Sequence, residues 1–510
     1  MRHDKALAIL LLLSVFAIAT CGLVYELIAG TLASYLLGDS VTQFSTIIGA
    51  YLFAMGIGSW LSRYIERDLL STFVKIEILI GLVGGSAAAI LFVVFEHIVS
   101  FRIPLYGIVS VIGILVGIEI PLLLRILKDQ FEFKDLVSKI FTFDYIGALF
   151  ASILFPLILV PHVGLVRSGF MFGMINVSVA LWLLYRFTDD VRYASAHKAA
   201  GIATLIGLLM GFVYGQSIMG VAESGMYPDQ VIYSTSTPYQ RIVITKAPHD
   251  LRLFLNNNLQ FSSRDEYRYH EALVHPGLAS IPNPRHVLIL GGGDGLAARE
   301  VLKYASIEDI TLVDLDPAMT RLFSTNEILA SLNNHIFSSP KMHVINADAF
   351  LWIKEHRAEL QAKPFDFIIA DFPDPSNYSI GKLYTQTFFH LIHDVITENG
   401  VLVVQSTSPY IAPKAYWCVA NTLKSSGFNV TPYHAYVPSF GEWGFVIAGK
   451  SVFSPADHYP EDLKFVTPDT VDTMLRFPTD MGPRVTEINR LDNQVLVRYF
   501  DEEWAEYGVN

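Results

Sequence analysis

His286-Val287-Leu288-Ile289-Leu290-Gly291-Gly292-Gly293-Asp294-Gly295 is the stretch that decides the fold of the catalytic-looking part of this 510-residue chain. Val287–Leu290 is a short unbroken apolar run, the pattern of a strand covered on both faces. A glycine-rich turn follows, and Leu296–Tyr304 has a helical pattern. Ile310-Thr311-Leu312-Val313 is a second such strand, ending in Asp314. Val344-Ile345, Phe367-Ile368-Ile369-Ala370 and Val401-Leu402-Val403-Val404 continue the series with helical stretches between them. Strands alternating with helices predict a parallel, doubly wound α/β sheet. The glycines allow close backbone approach to a ligand, and an acid about 20 residues further on is placed to take ribose hydroxyls. No second basic residue marks a phosphate clamp, which favours a nucleoside over a dinucleotide.

Upstream, the period changes. Val231-Ile232-Tyr233, Arg241-Ile242-Val243-Ile244 and Leu251-Arg252-Leu253-Phe254-Leu255 read as strands of a small antiparallel region, entered by a short linker over Ser224–Asp229. Before that, the chain is of another kind. Apolar runs lie near 6–28, 42–62, 73–95, 104–124, 142–161, 165–185 and 199–221, each about the ~20 residues a helix needs to cross a bilayer. Gly56-Ile57-Gly58 and Gly84-Gly85-Ser86 offer small residues for close helix approach. The first run is too long for a signal peptide, lacks a clear cleavage site and precedes further spans. The expected division is 1–222 as membrane domain, 223–275 as small β region and 276–510 as α/β domain.

Composition agrees with this division. Apolar residues reach 52%, charged residues only 16%, and mean hydropathy is +0.41, too apolar for an ordinary soluble enzyme. Of 36 basic and 48 acidic side chains, 14 of each fall within 1–222, leaving 22 and 34 for 223–510. The net −12 therefore belongs to the second part. It excludes a generic nucleic-acid binder. Cys21 and Cys418 provide neither a disulfide framework nor a cysteine zinc site, and no metal is expected.

Basic residues gather at Arg2 and Lys5, at Arg63 and Arg67, at Arg125, Lys128, Lys134 and Lys139, and at Arg186, Arg192 and Lys198. The remaining loops offer Arg102 and Arg167. This positive-inside pattern puts the N-terminus in the cytoplasm of a multi-pass cell-membrane protein. Seven spans would then put the second part outside, whereas a cytosolic nucleoside co-substrate calls for it inside; a miscount at the long first run or at a tight Pro161-His162 hairpin would reconcile them. Glu26, Glu77 and Glu119 lie in or near spans, either as a cation path or, for the first two, as helix-end acids reaching the headgroups.

Several motifs now add up to a resemblance. Gly291-Gly292-Gly293-Asp294-Gly295, Val313-Asp314-Leu315-Asp316, Asp348-Ala349 and Asp371-Phe372-Pro373-Asp374-Pro375 resemble the successive motifs of the spermidine synthase (polyamine aminopropyltransferase) family. Tyr239-Gln240 and the segment from Gln260 through Asp265-Glu266 to Tyr269-His270-Glu271 resemble that family's N-terminal strand region and its entry into the catalytic domain. The likeness runs over about 231–450, and with the apolar front the chain resembles the membrane-bound bacterial branch. It implies a Rossmann-like sheet of the class I AdoMet-methyltransferase type. It also implies aminopropyl transfer from decarboxylated S-adenosylmethionine, as co-substrate, to putrescine or a related polyamine, giving spermidine and methylthioadenosine.

By the same resemblance Asp371 is the proton acceptor, Asp374 the acid on the amine substrate and Asp294 the acid beside the aminopropyl amine. Gly291 and Gly293 form the co-substrate turn, Asp314 holds the ribose, and Asp348-Ala349 contacts adenine. Gln240 and His270 are polar contacts to thioadenosine and polyamine, and Tyr269 belongs to the amine site. A homo-oligomer, dimer or tetramer, is implied as well.

Plainer roles stand beside these: helix caps for Asp294 and Asp314, turn formers for Asp371 and Asp374, a core histidine at 270, a plain strand residue at Gln240 and packing or pocket wall at Trp443. Leu255-Asn256-Asn257 departs from the family's Leu-Asp-Gly, Ser376-Asn377-Tyr378 from Gly-Pro, and Asp314 from Glu. The first two departures bear on acceptor identity. An AdoMet-dependent methyltransferase, sharing the sheet, and a polyamine transporter or sensor with a non-catalytic domain are the alternatives.

Overall fold

The computed structural model describes residues 2–507 apart from 38–39, 98–99, 129–131 and 189–190, and describes no side chain of 2–11, 37, 40–41, 96–97 or 216–226. The side chains of Arg2, Lys5 and Glu223 thus lie outside the described residues. The chain divides into two compact units, 1–231 and 232–510.

The first unit is helical: α1 Arg2–Leu37, α2 Ser40–Leu61, α3 Leu69–His97, α4 Arg102–Leu127, α5 Phe133–Leu154, α6 Leu165–Arg186 and α7 Ala194–Met226. Seven helices among the described residues are long and apolar enough to cross a membrane. They pack through glycines. Gly81 and Gly85 on α3 face Gly169 and Gly173 on α6, and a Cβ on Gly85 would lie 3.0 Å from the Gly173 Cα. On α4, Gly113 and Gly117 abut the α2 backbone at Tyr51 and Met55, and a Cβ on Gly58 would run into the Ile114 carbonyl. Each glycine pair on α3, α4 and α6 is spaced by four, so both members share one helix face and let backbones touch. The adjacent Gly56 takes no part, with nothing within 4 Å of its would-be Cβ, whereas Gly84 packs against the Tyr25 ring.

Three details differ from expectation. Pro161-His162 is no hairpin: α5 continues as a wider π-helical segment over Phe155–Val163, and the chain turns at Gly164, whose φ is +82°. The widened turn accommodates Pro156 and Pro161, which lack the N–H of a regular ladder. The linker is shorter than Ser224–Asp229, because α7 runs to Met226. Glu77 does not reach outward. It is fully buried, and its Oε2 accepts from Asn176 Nδ2 at 2.9 Å, while Asn176 Oδ1 accepts from the Tyr25 hydroxyl at 3.2 Å. Glu119 is buried as well, and Glu26 is half-buried.

The second unit opens with β1 Gln230–Ser236, β2 Arg241–Ala247, β3 Asp250–Leu255 and β4 Asn258–Ser262, a four-stranded sheet in that order. β2–β3 and β3–β4 pair antiparallel. Asn256 and Asn257 both have positive φ in the β3–β4 hairpin. The departure from Leu-Asp-Gly therefore keeps the turn chemistry, because Asn tolerates this conformation. Helix α8 Glu266–Leu278 follows.

The main sheet has seven strands, β5 His286–Gly291, β6 Asp309–Asp314, β7 Met342–Asn346, β8 Phe365–Asp371, β9 Ile396–Gln405, β10 Asn429–Val437 and β11 Gly441–Gly449. Their order is β10-β11-β9-β8-β5-β6-β7. β5, β6, β7, β8 and β9 run parallel, while β11 pairs antiparallel with both β9 and β10. This is the doubly wound sheet that the apolar runs predict, with an antiparallel β10–β11 hairpin added at one edge. Apolar cores cover both faces, one around Phe388, Ile368 and Leu402, the other around Phe367, Ile289 and Phe445. The order leaves a switch point at β5, where α9 Leu296–Val301 and the helix after β8 depart to opposite sides, the usual place for a ligand crevice.

The glycine seam gives the first prediction. A Cβ on Gly173 would lie 2.9 Å from the Gly85 Cα, so Gly173→Leu should cost the detergent-solubilised protein on the order of 1–3 kcal/mol, as overpacking does. Gly107→Leu, at a position with nothing within 4 Å, should leave the melting temperature unchanged. Equal melting of the two variants would remove the seam's role.

Candidate active site

β5 and β8 end level with each other, Gly291 pairing in register with Asp371. Gly291 has φ +82°, and a Cβ there would collide with the Asp371 carbonyl oxygen. Gly292, at φ +62°, passes over the Asp371 carboxylate, its would-be Cβ 3.2 Å from Oδ2. A Cβ on Gly293 would lie 2.6 Å from Asp314 Oδ2, to which the Gly293 N–H donates at 3.1 Å. The glycines were expected to admit a ligand. The structure shows that they first admit two carboxylates, Asp371 and Asp314, to the turn itself.

Around this turn the acids converge. Asp371 Oδ1 accepts from the Tyr269 hydroxyl at 2.6 Å. Burial pushes Asp371 up to about 6, helped by the nearby charge of Asp294 and opposed by His270 and Tyr269. Burial likewise pushes Asp374 up to about 7, against hydrogen bonds from Gln405 and Thr407. Asp314 is raised by burial to about 6. Burial raises Asp294 too, while the charge of His270 pulls it back. Asp294 Oδ1 accepts from the Leu296 N–H at 2.9 Å, so this acid caps α9 as well as facing the site. Asp314 caps no helix; it accepts from Gly293 and from the Asp316 N–H at 2.8 Å, and Asp316 caps the next helix, α10 Pro317–Thr325.

His270 is tied to an acid rather than packed as a plain core histidine. Burial presses its pKa down, but the Glu266 hydrogen bond and charge raise it above the ordinary value. Nδ1 meets Glu266 Oε2 at 2.8 Å. Glu266 in turn takes a two-pronged contact from Arg299, at 3.0 and 2.9 Å.

Other expected residues hold hydrogen bonds or packing within the chain. Gln240 donates from Nε2 to Asp316 Oδ2 at 3.0 Å, reaching Asp314 one step removed. Asp348 Oδ1 caps the helix Ala349–Glu355, accepting from Phe350 and Leu351, and its Oδ2 takes Lys382 Nζ at 2.5 Å. Ala349 packs into the core. Trp443 packs: its ring is buried beside Phe440, and its Nε1 donates to Gln405 Oε1 at 3.1 Å.

Gln405 and Thr407 were not anticipated, nor were Glu266 and Asp316 as supports. Gln405 Nε2 donates to the Phe372 carbonyl at 2.6 Å and to Asp374 Oδ1 at 3.3 Å. The available signal was positional, since Gln405-Ser406-Thr407-Ser408 is a polar run just past a buried strand, at the sheet edge that carries the other site residues. Among the described residues no group of three or more His, Cys, Asp or Glu side chains is arranged to hold a metal. What the arrangement offers is a sheet edge bearing four raised acids and a histidine, chemistry suited to binding cations and taking up a proton.

A doubly wound sheet with these acids at its strand ends is able to receive a cationic ligand. A family model described as the spermine/spermidine synthase domain matches residues 266–456. The chain is 53% identical to the polyamine aminopropyltransferase of Leptospira interrogans serogroup Icterohaemorrhagiae serovar copenhageni (strain Fiocruz L1-130), over 97% of this chain and 98% of that one. It is 53% identical to polyamine aminopropyltransferase 2 of Ralstonia nicotianae, over 98% of each chain, and 39% identical to polyamine aminopropyltransferase 1 of Streptomyces coelicolor, over 99% and 96%. Among solved structures, a spermidine synthase in complex with the transition-state analogue AdoDATO is 23% identical, covering 54% of this chain and 88% of that one with a TM-score of 0.41. The chain belongs to the polyamine aminopropyltransferase family and is an enzyme of polyamine biosynthesis.

The raised acids set a pH window. Asp374 holds its proton to about 7 and Asp371 to about 6, so negative charge is lost as pH falls through that range. Affinity for a diammonium ligand, measured by calorimetry, should fall as pH drops from 8 to 6, by about tenfold per carboxylate protonated. Asp374→Asn should weaken binding at pH 8 and remove the upper step of the curve. A flat curve in the wild type would contradict the assignment.

Proposed function

We propose that this enzyme transfers the aminopropyl group of decarboxylated S-adenosylmethionine to putrescine or a closely related diamine, releasing methylthioadenosine and spermidine, with Asp371 as proton acceptor. The observation that carries the reading is the meeting of Asp371, Asp294 and Asp374 at the glycine turn with Tyr269 bonded to Asp371. The donor is a sulfonium with a free ammonium group, and the acceptor is a diamine. Both are cations, and both become better bound as the acids ionise.

In the step itself the acceptor nitrogen forms a new bond to the carbon next to sulfur, the carbon–sulfur bond breaks, and its electron pair returns to sulfur as a neutral thioether. The nitrogen's surplus proton passes to Asp371, raised by burial to about 6 and so basic enough to take it while remaining ionised at neutral pH. Tyr269 orients that carboxylate. Gly291, Gly293 and Asp314 hold the nucleoside, with Gln240 steadying Asp314 through Asp316. Asp294 suits the decarboxylated donor and would repel the carboxylate of S-adenosylmethionine, which separates this reading from methyl transfer. Asp348 contacts adenine in this reading only after it loosens its hold on Lys382.

We infer further that the protein is a multi-pass membrane protein acting as a homo-oligomer, with its catalytic unit in the cytoplasm beside the donor. Seven helices and the basic loops favour the other face, so this placement requires that one helix does not cross.

The test uses the full chain in detergent with either nucleoside and a panel of diamines, products read by mass spectrometry. Aminopropylated diamine and methylthioadenosine should form only from the decarboxylated donor. Asp371→Asn should lose about 10²–10⁴ in kcat while keeping donor affinity. Turnover of S-adenosylmethionine, or none of the decarboxylated donor, would overturn the reading. Trypsin should reach the catalytic unit in inverted vesicles and spare it in intact cells.

A further inference from the structure

Thr407 is the one β-branched residue among the described non-glycine positions with positive φ, at +51°. For such a side chain this is a genuine outlier, and strain of this kind persists only where surroundings impose it. Here they do. Its carbonyl accepts from the Gly444 N–H at 2.7 Å and its own N–H donates to Gln405 Oε1 at 3.2 Å. A Cβ on Gly444 would lie 2.7 Å from the Thr407 carbonyl oxygen, so the β11 backbone is pressed against this residue. The result aims Thr407 Oγ1 at Asp374 Oδ2, 3.3 Å away.

The other neighbour of Oγ1 is Trp504 Nε1, also at 3.3 Å. Trp504 lies on the last helix, Val495–Glu506, nearly fifty residues beyond the 266–456 segment that carries the family match. An indole nitrogen can only donate. It therefore fixes the polarity of the hydroxyl: Thr407 accepts from Trp504, and its single proton is left for Asp374. The helix is itself anchored at the next carboxylate, Glu503, whose two oxygens accept from the Lys414 and Ala415 N–H groups at 3.0 Å each. Thr407 is fully buried. The ionisable groups facing Asp374 are Tyr269 from α8 and Tyr384 from the segment after β8, each feeling the charge of Asp374.

We propose that Trp504 and Thr407 are positioning residues for the amine-side acid: a relay from the C-terminal helix that holds Asp374 in the ionised, oriented form that receives the ammonium group of the acceptor. Resting on the aminopropyl-transfer reading, it adds residues that act through Asp374 and touch no substrate. Gln405 satisfies one oxygen of Asp374 and the Thr407 hydroxyl the other. Removing the second donor leaves a buried carboxylate oxygen without its partner and favours the protonated acid.

Full-chain Trp504→Phe keeps a ring against Phe500, 5.6 Å away, but deletes the N–H. Thr407→Val keeps the β-branched shape and deletes the hydroxyl; Thr407→Ser restores it. Steady-state kinetics with the decarboxylated donor and putrescine should show the acceptor KM raised about three- to tenfold in Trp504→Phe and Thr407→Val, as expected for one weakened charge-assisted bond. The acidic limb of kcat/KM for the acceptor should move up by about one pH unit. Donor KM should stay unchanged, and Thr407→Ser should recover both acceptor readouts. A purely structural role would lower the melting temperature and change both KM values together, which overturns the proposal, as does an unmoved acidic limb.

A substrate-free arm separates this from failure of the function. The infrared carboxyl band lost in Asp374→Asn should titrate near 7 in the wild type and higher in Trp504→Phe and Thr407→Val. If the wild type transfers no aminopropyl group but the band still shifts, the function fails and the relay stands. If the band does not move, the relay fails whatever the activity.

Discussion

The α-carbon of Gly291 against the carbonyl of Asp371 is the contact on which the site depends. It has no energy of its own worth naming, yet it forces two parallel strands to finish at one level. From there the chain of β5 must turn in the left-handed region, which glycine does without strain and other residues rarely do. The turn then lies across the Asp371 carboxylate and receives Asp314 from the next strand over. Everything chemical in the second unit is hung on that edge: acids from β6 and β8, the amide of Gln405 from β9, and the tyrosine–histidine pair from α8.

A site built this way gathers negative charge, and the arrangement of cations decides whether it stays folded and useful. Arg299 acts on Asp294 through its charge, but its hydrogen bonds go elsewhere. It forks onto Glu266 and also bonds Glu300. That ion pair locks Glu266 against His270, and His270 faces both Asp294 and Asp371. His270 and Arg299 therefore stand against four acids. Burial holds these carboxyl groups above their ordinary range, a condition that a bound cation would relieve. Neutral donors, a phenol, an amide and a hydroxyl, orient the acids without cancelling that attraction.

The sequence was most legible where one residue type has one physical use. Val287–Leu290 and Phe367–Ala370 could only be covered strands, and the glycines between β5 and α9 could only mark a backbone with unusual φ. Asp371 and Asp374 were readable as acids at and just past a strand end, and the structure ties both into hydrogen bonds there. Legibility failed where the partner is distant in the chain or where a residue type is ambiguous. Gln240 reads as a ligand contact and Asp348 as an adenine contact, and the sequence foretells neither the bond of the first to Asp316 nor the sharing of the second between a helix end and Lys382. The hairpin placed at Pro161-His162 failed because proline signals a break in a regular helix, whereas a wider helical turn absorbs it. In the helical unit, hydropathy marked the spans, but only the spacing of glycines by four, Gly81 with Gly85 and Gly169 with Gly173, carries the pairing of α3 with α6.

Thr407 shows why the last part of such a site escapes a linear reading. Nothing about a threonine after a strand announces positive φ, and nothing about a tryptophan close to the C-terminus announces a carboxylate more than a hundred residues earlier. The strain becomes meaningful only when the bonds around it are traced: β11 presses the backbone, Gln405 takes the N–H, and the indole fixes which way the hydroxyl proton must point. Each of these is weak alone. Together they convert a conformational cost at one residue into a defined hydrogen-bond direction at another, which is how a fold shared by many activities can tune one acid without placing any further charge beside it.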